Sequence, residues 1–287
     1  MSVALIRPNL ETALFKIYSE SLALGYLSAV LRENGIESDI IDAYLENMKL
    51  DDLVQRILEK DYKIVGFTIF NPSSFEWTSK AAKLLKKENP EIHIILGGHT
   101  PSSDYDYVLR KVPKIDSIAR FEGEYVLLDL AKAIANKQDW RGIKRLAFRN
   151  NGKIISNELA HLIPNLDELP FPNRDYLPYL IRNYWEEHSV YINRGSGCYR
   201  QCGFCSVPRF YSTPSGKVLR QRSNKNLLSE IWHLVNTYHV NSFTFVDDIF
   251  TVPSKKEKLD TIALADEIRR EGLKIYFSIC DRIDNLY

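Results

Sequence analysis

Gly197-Cys198-Tyr199-Arg200-Gln201-Cys202-Gly203-Phe204-Cys205 is the stretch whose reading decides the fold. It follows directly on Val190-Tyr191-Ile192-Asn193, an apolar run that predicts a short strand. Cysteines on the loop at a strand's carboxyl end stand where α/β folds place their chemistry. The spacing is C-x3-C-x2-C, three thiols within eight residues. That is the ligand count for a 4Fe–4S cluster with one iron left open, and thiolates are the soft ligands such clusters select. A structural zinc site would use four protein ligands, in C-x2-C pairs or with histidine. No second pair exists, and no histidine lies inside the run. A disulfide framework belongs to short secreted chains. Cys280, far downstream, reads as a small buried apolar residue.

Outward from the cysteines, residues 226–238 predict a helix, and 241–246 predict a strand running into Asp247-Asp248. Residues 256–271 predict a helix ended by Gly272, and 274–280 predict a strand ending in Asp281-Arg282. Three strands with two helices between them over 190–287 are the opening of a β/α barrel. Asp247 and Asp248 can serve as hydrogen-bond acceptors for an ammonium or as helix caps, and the pattern leaves both open.

Residues 1–139 alternate strand and helix. Strands are predicted at 3–6, 37–41, 64–68, 92–96 and 117–119, and helices at 20–34, 50–60, 75–88 and 124–135. Ala23, Leu24, Leu27, Val30 and Leu31 give the first helix an apolar face, and Gly35 ends it. Asp51 or Asp52 is the expected cap of the second helix. Five βα units argue for a doubly wound parallel sheet of Rossmann-like type, which binds ligands outside the carboxyl ends of its strands. The loops there carry Thr68, Asn71, Ser73, Ser74, Gly97, Gly98, His99, Gly123 and Glu124. Glycines admit a ligand close to the backbone, and serines and helix N-termini offer hydrogen bonds to it. The first strand is followed by Arg7-Pro8-Asn9-Leu10, with no G-x-G-x-x-G, which argues against a dinucleotide.

Residues 140–189 read as a connector. A hairpin turns at Asn151-Gly152, and four prolines between Pro164 and Pro178 exclude a regular element, leaving a semi-rigid strap.

The cysteine run with Phe204 before its last cysteine resembles the radical S-adenosylmethionine (SAM) superfamily. Ser206-Val207-Pro208-Arg209-Phe210-Tyr211 and Arg220-Gln221-Arg222-Ser223 look like the branch with an N-terminal cobalamin-binding domain, as do Leu24-Gly25-Tyr26-Leu27, Gly97-Gly98-His99 and Gly123-Glu124. The resemblance implies that Cys198, Cys202 and Cys205 hold a 4Fe–4S cluster whose open iron binds SAM. Phe204 would lie against the adenine, Asp247 and Asp248 near the SAM amino group, and Arg282 near its carboxylate. The usual wording at the second strand is Gly-Gly-Glu, so Asp247-Asp248 departs from it. The D-x-H-x-x-G motif that supplies a cobalt ligand is absent, which implies cobalamin held without that lower ligand. His99 either reaches cobalt or serves as a hydrogen-bonding loop residue.

The implied reaction is reductive SAM cleavage to a 5′-deoxyadenosyl radical, with methyl transfer to an unactivated carbon. Ring closure or rearrangement, and a non-catalytic remnant, stand as alternatives. Methylthiotransferases carry extra N-terminal cysteines that are not found here. The family's core has about six β/α units, so a chain with three is expected to be a truncated part and inactive alone. A small-molecule or peptide substrate and an electron donor such as flavodoxin or ferredoxin are the implied partners. The 38 basic and 37 acidic side chains give no basis for a nucleic-acid partner. The reduced thiols, with no signal segment and no apolar run of bilayer length, imply a cytoplasmic protein that binds no membrane.

Overall fold

The computed structural model describes residues 1–10, 18–69, 72–184 and 189–285. The chain divides into two units: Met1–Ile17, Ser21–His161 and Pro172–Asp175 form the first, and Tyr18–Glu20, Leu162–Phe171 and Tyr176–Tyr287 the second.

The first unit is built on a seven-stranded sheet: β1 (Ser2–Arg7), β2 (Glu37–Asp42), β3 (Tyr62–Thr68), β4 (His93–Gly97), β5 (Ser117–Ala119), β6 (Leu146–Asn150) and β7 (Lys153–Ser156), in the order β2-β1-β3-β4-β5-β6-β7. The first five strands of that order are parallel. In β3, Ile64 and Val65 point to opposite faces, and both are fully buried, so both faces of the sheet are covered. Burying each side chain of that size contributes about 1.5–3 kcal/mol. The helices between the strands are α1 (Leu22–Glu33), α2 (Leu50–Glu59), α3 (Phe75–Glu88), α4 (His99–Ser103), α5 (Tyr105–Lys111) and α6 (Glu124–Ala135).

Several expectations are corrected here. In α1, Ala23 is exposed, and the buried face is instead Leu24, Gly25, Ser28, Ala29, Val30 and Leu31. Gly25 is required because the chain crosses it: a Cβ there would lie 2.8 Å from the Asn173 carbonyl oxygen, and Asn173 N–H donates to Gly25 O at 3.0 Å. Lys49 stands at the N-cap of α2, and Asp51 and Asp52 fall in its first turn, where their charge complements the helix dipole. The hairpin assigned to the connector belongs to the first sheet, since β6 pairs antiparallel with β5. Its turn is as expected: Asn151 and Gly152 both take positive φ, 48° and 75°, as a two-residue turn demands. The short helices α4 and α5 lack an apolar period long enough to predict.

The second unit holds a parallel sheet of β8 (Val190–Ile192), β11 (Ser242–Phe245) and β12 (Tyr276–Ile279), ordered β12-β11-β8. A separate ladder joins β9 (Gly195–Ser196) to β10 (Arg220–Gln221). The helices are α7 (Leu177–Tyr184), α8 (Val207–Ser212), α9 (Asn224–Tyr238) and α10 (Lys255–Arg270). Ser223 caps α9 by accepting the Asn226 N–H at 3.1 Å, and Ser254 caps α10 by accepting that of Glu257 at 3.2 Å. Val190, Ile192, Leu227, Ile231, Leu234, Phe243 and Phe245 form the core beneath the sheet. Contrary to expectation, the strap contains α7, because Pro178 falls in a first turn, where its missing N–H costs nothing. Cys280 is exposed, not buried, because it follows β12, an edge strand whose Tyr276 and Phe277 are 74% and 49% exposed. No helix among the described residues is long and apolar enough to cross a membrane.

Candidate functional site

The cysteine loop hangs from a neck formed by β9 and β10. Gly197 sits at φ 91°, and a Cβ there would lie 2.0 Å from the Val218 carbonyl oxygen. At Gly195 a Cβ would lie 2.6 Å from that of Arg220. The two backbones thus approach too closely for any side chain. Buried arginines hold the second strand of the neck. Arg220 donates to Ile163 O at 2.7 Å and to Ser196 Oγ at 3.3 Å. Arg222 donates its N–H to Arg194 O at 2.8 Å and its guanidinium to Asn193 O at 3.0 Å, and pairs with the buried carboxylate of Glu230.

The first strand of the neck is held by the two aspartates after β11. Asp247, 7% exposed, accepts the Arg194 N–H on both oxygens at 3.1 Å and the Gly195 N–H at 2.6 Å. Burial pushes its carboxyl up to about 6, against the pull of those N–H groups. Asp248 accepts the Gly197 N–H at 3.2 Å. It is exposed as a residue, yet protein atoms crowd its carboxylate and push its pKa up. The ammonium role expected of Asp247 is therefore corrected: its carboxylate faces inward and braces backbone. The Arg194 guanidinium donates to Thr261 Oγ1 at 2.6 Å and lies 5.2 Å from the Phe250 ring centroid, and desolvation lowers its pKa.

Within the loop, Cys198, Cys202 and Cys205 are free thiols of intermediate exposure, and the Cys205 N–H donates to Cys202 O at 3.0 Å, closing a tight turn. Among the described residues, no three His, Cys, Asp or Glu side chains gather as the ligands of one ion. Three soft thiols spread on one loop suit a cluster, in which each thiolate takes its own iron, better than a single tetrahedral ion. The donor set therefore fits the cluster. Phe204 at the loop's tip is 94% exposed. The guanidinium of Arg282 does not stand free for a carboxylate ligand. It pairs with Asp284 at 2.8 Å, and Asp284 also takes Arg200 of the cysteine loop.

In the first unit, the order β2-β1-β3-β4-β5 reverses direction between β1 and β3, and ligands of such sheets bind beside that switch point. Thr68 ends β3 and Gly97 ends β4. Gly98, at φ 106°, lets the two following loops touch: a Cβ there would lie 2.4 Å from Ile69 O. The Ile69 N–H donates to Gly97 O at 2.8 Å. Ser73 lies in a 3-10 turn, and the Ser74 carbonyl takes the Thr78 hydroxyl at 2.9 Å. His99 opens α4, half-buried, and desolvation lowers its pKa. Gly123 is the N-cap of α6 and Glu124 its first residue. Asn71 lies outside the described residues. The loops after β3, β4 and β5 thus bring the other expected residues to one edge. The sequence reading missed Ser102, whose hydroxyl donates to Gly98 O at 2.7 Å and accepts the Phe121 N–H at 2.8 Å. No local pattern marks that role.

A parallel α/β unit with its switch point, followed by a β/α unit with three free thiols at a strand's carboxyl end, defines the class as a two-unit α/β protein. The B12 binding domain family matches residues 12–131. An uncharacterized methyltransferase of Pyrococcus horikoshii is 29% identical over 99% of this chain and 60% of its own length. The anaerobic magnesium-protoporphyrin IX monomethyl ester cyclase of Rubrivivax gelatinosus is 27% identical over 100% of this chain and 51% of its own. Among solved structures, the cobalamin-dependent S-adenosylmethionine radical enzyme OxsB, with aqua-cobalamin and S-adenosylmethionine bound, shares the fold. Its TM-score is 0.81 at 20% identity, covering 100% of this chain and 39% of that one. The chain is thus similar over its whole length to these proteins, and its first unit carries the match to the B12 binding domain family. It spans between half and three fifths of the length of these curated relatives.

Proposed function

We propose that this chain carries the cobalamin and iron–sulfur sites of a radical SAM enzyme that transfers a methyl group to an unactivated carbon. The observation that carries the reading is the trio of free thiols on a loop whose neck is braced before any ligand is considered. Cys198, Cys202 and Cys205 hold the cluster. Phe204 offers an exposed ring face for the SAM adenine, and Asp248, an exposed residue whose carboxylate also accepts the Gly197 N–H, is the acceptor suited to the SAM ammonium. The backbone at Gly97 and Gly98, with Thr68, Ser73, Ser74, His99, Gly123 and Glu124, lines the cobalamin edge, and Asn71 is assigned to the same ligand from the sequence alone. When bound, the cluster supplies the electron that cleaves SAM, and cobalamin supplies the methyl group. The substrate is a small molecule or peptide, and a flavodoxin or ferredoxin delivers the electron. Likeness to the ring-closing cyclases supports a second reading, in which the same site makes a ring.

Anaerobic reconstitution with iron and sulfide tests the proposal. About four irons per chain are expected, with a broad absorbance. Cys202→Ala should abolish it, and Cys280→Ala should leave it intact. Iron uptake that survives Cys202→Ala would overturn the assignment.

A further inference from the structure

Asn285 lies in the segment after β12 and is 2% exposed. Its side chain makes three hydrogen bonds. Nδ2 donates to Thr251 O at 2.9 Å and to Asp281 Oδ1 at 2.7 Å, and Oδ1 accepts the Tyr199 hydroxyl at 2.7 Å. The amide can sit only one way round, because a carbonyl and a carboxylate offer no proton and must face the NH₂ group. The three partners come from three places. Thr251 follows β11 on the loop that bears Asp247 and Asp248, Asp281 follows β12, and Tyr199 stands between the first two cysteines. Asp281 strengthens the join by accepting the Thr251 N–H at 2.7 Å. Asn285 is itself fixed by donating its N–H to Arg282 O at 3.0 Å. Beside it, Asp284 takes Arg200, the next residue of the cysteine loop.

The neck thus fixes the base of the loop, and Asn285 is the buried group that fixes its interior. We propose that Asn285 is a positioning residue for the cysteine loop, acting through the Tyr199 hydroxyl; this rests on reading that loop as the cluster's holder. A fully satisfied buried amide tolerates no reversal, so it ties the turn between Cys198 and Cys202 to one register against the loop after β11.

Hydrogen–deuterium exchange of the whole chain tests this without any cofactor. Tyr199→Phe removes one hydroxyl and leaves the other two Asn285 bonds in place. Asn285→Asp keeps the shape but sets an acceptor against Thr251 O and the Asp281 carboxylate. In Tyr199→Phe, amides of the cysteine loop should exchange about threefold to tenfold faster, the change expected for loss of one hydrogen bond. In Asn285→Asp, which loses both Nδ2 bonds and so displaces the acceptor of the Tyr199 hydroxyl, they should also exchange faster. Peptides from β8 and α9 should be unchanged. In the chain reconstituted with iron and sulfide, both variants should alter the electron paramagnetic resonance of the reduced cluster. On the loop amides the double variant should add nothing beyond the larger single change, since a displaced Asn285 reaches the loop only through the Tyr199 hydroxyl. Unchanged loop exchange in Tyr199→Phe, or additive effects, would overturn the proposal. Faster loop exchange in a chain that takes up no iron would support the positioning role and overturn the cluster assignment instead.

Discussion

Asp247 binds the backbone of Arg194 and not its guanidinium: the N–H meets both carboxylate oxygens at 3.1 Å, and no ion pair joins the two side chains among the described residues. Asp281 repeats the arrangement one strand along, taking the Thr251 N–H at 2.7 Å. Each aspartate after a strand braces the loop of the strand before it.

The first expected outcome concerns pH. Burial holds the Asp247 carboxyl up near 6 in the native chain, while in the unfolded chain it titrates at the ordinary value. The native state therefore keeps a proton that the unfolded state releases. This stabilisation is complete below about pH 4 and is lost as pH rises through about 6. Asp247→Asn removes the titration and keeps an oxygen for the two N–H groups. Urea midpoints measured between these limits should fall for the native chain relative to the variant. Parallel curves would show that the carboxylate ionises normally.

Two glycines of the cysteine region separate strain from mere proximity. Gly197→Ala forces a Cβ to within 2.0 Å of Val218 O at a φ of 91°. A loss of about 1–3 kcal/mol in urea unfolding is expected, together with failure to take up iron. Gly203→Ala is the control, since a Cβ there meets nothing within 4 Å. It should leave both quantities as they are. Equal behaviour of the two variants would contradict the geometry of the neck.

The Arg222–Glu230 pair, with side chains 3% and 1% exposed, should be costly to break. Glu230→Ala leaves a buried guanidinium short of its carboxylate, and about 3–5 kcal/mol of stability should be lost. Glu76→Ala, which breaks an exposed pair with Lys80 that solvent screens, should leave the unfolding midpoint nearly unchanged. Chemical denaturation compares them directly.

Cobalamin binding gives a spectroscopic outcome. With no D-x-H-x-x-G motif, the Co(II) form bound to the chain should show no nitrogen splitting, and His99→Ala should leave its spectrum unchanged. Nitrogen splitting that disappears in His99→Ala would place that imidazole on cobalt.

Much of this was legible in the sequence, and the limit falls at a definite place. The five parallel strands, the span of α6 and the turn at Asn151-Gly152 all follow from patterns a few residues long. The cysteine spacing is equally local. The braces are not: Asp247 meets Arg194 across 53 positions, and Asn285 meets Tyr199 across 86. An aspartate aimed at backbone reads the same in sequence as one aimed at a ligand, and only the fold tells which N–H groups it faces. The hairpin's place was hidden for the same reason, since a turn fixes its own two strands but not the third strand they join.

The ladder between β9 and β10 turns the cysteine loop into a ring with a fixed waist. Lengthening such a ring is entropically mild, about 0.6 kcal/mol for each doubling. Lys217 is exposed, whereas its neighbour Val218 already belongs to the waist. At Gly195 and Gly197, where two backbones touch, even a methyl group is excluded. Descent can therefore reshape the rim of this loop freely while its waist stays as it is.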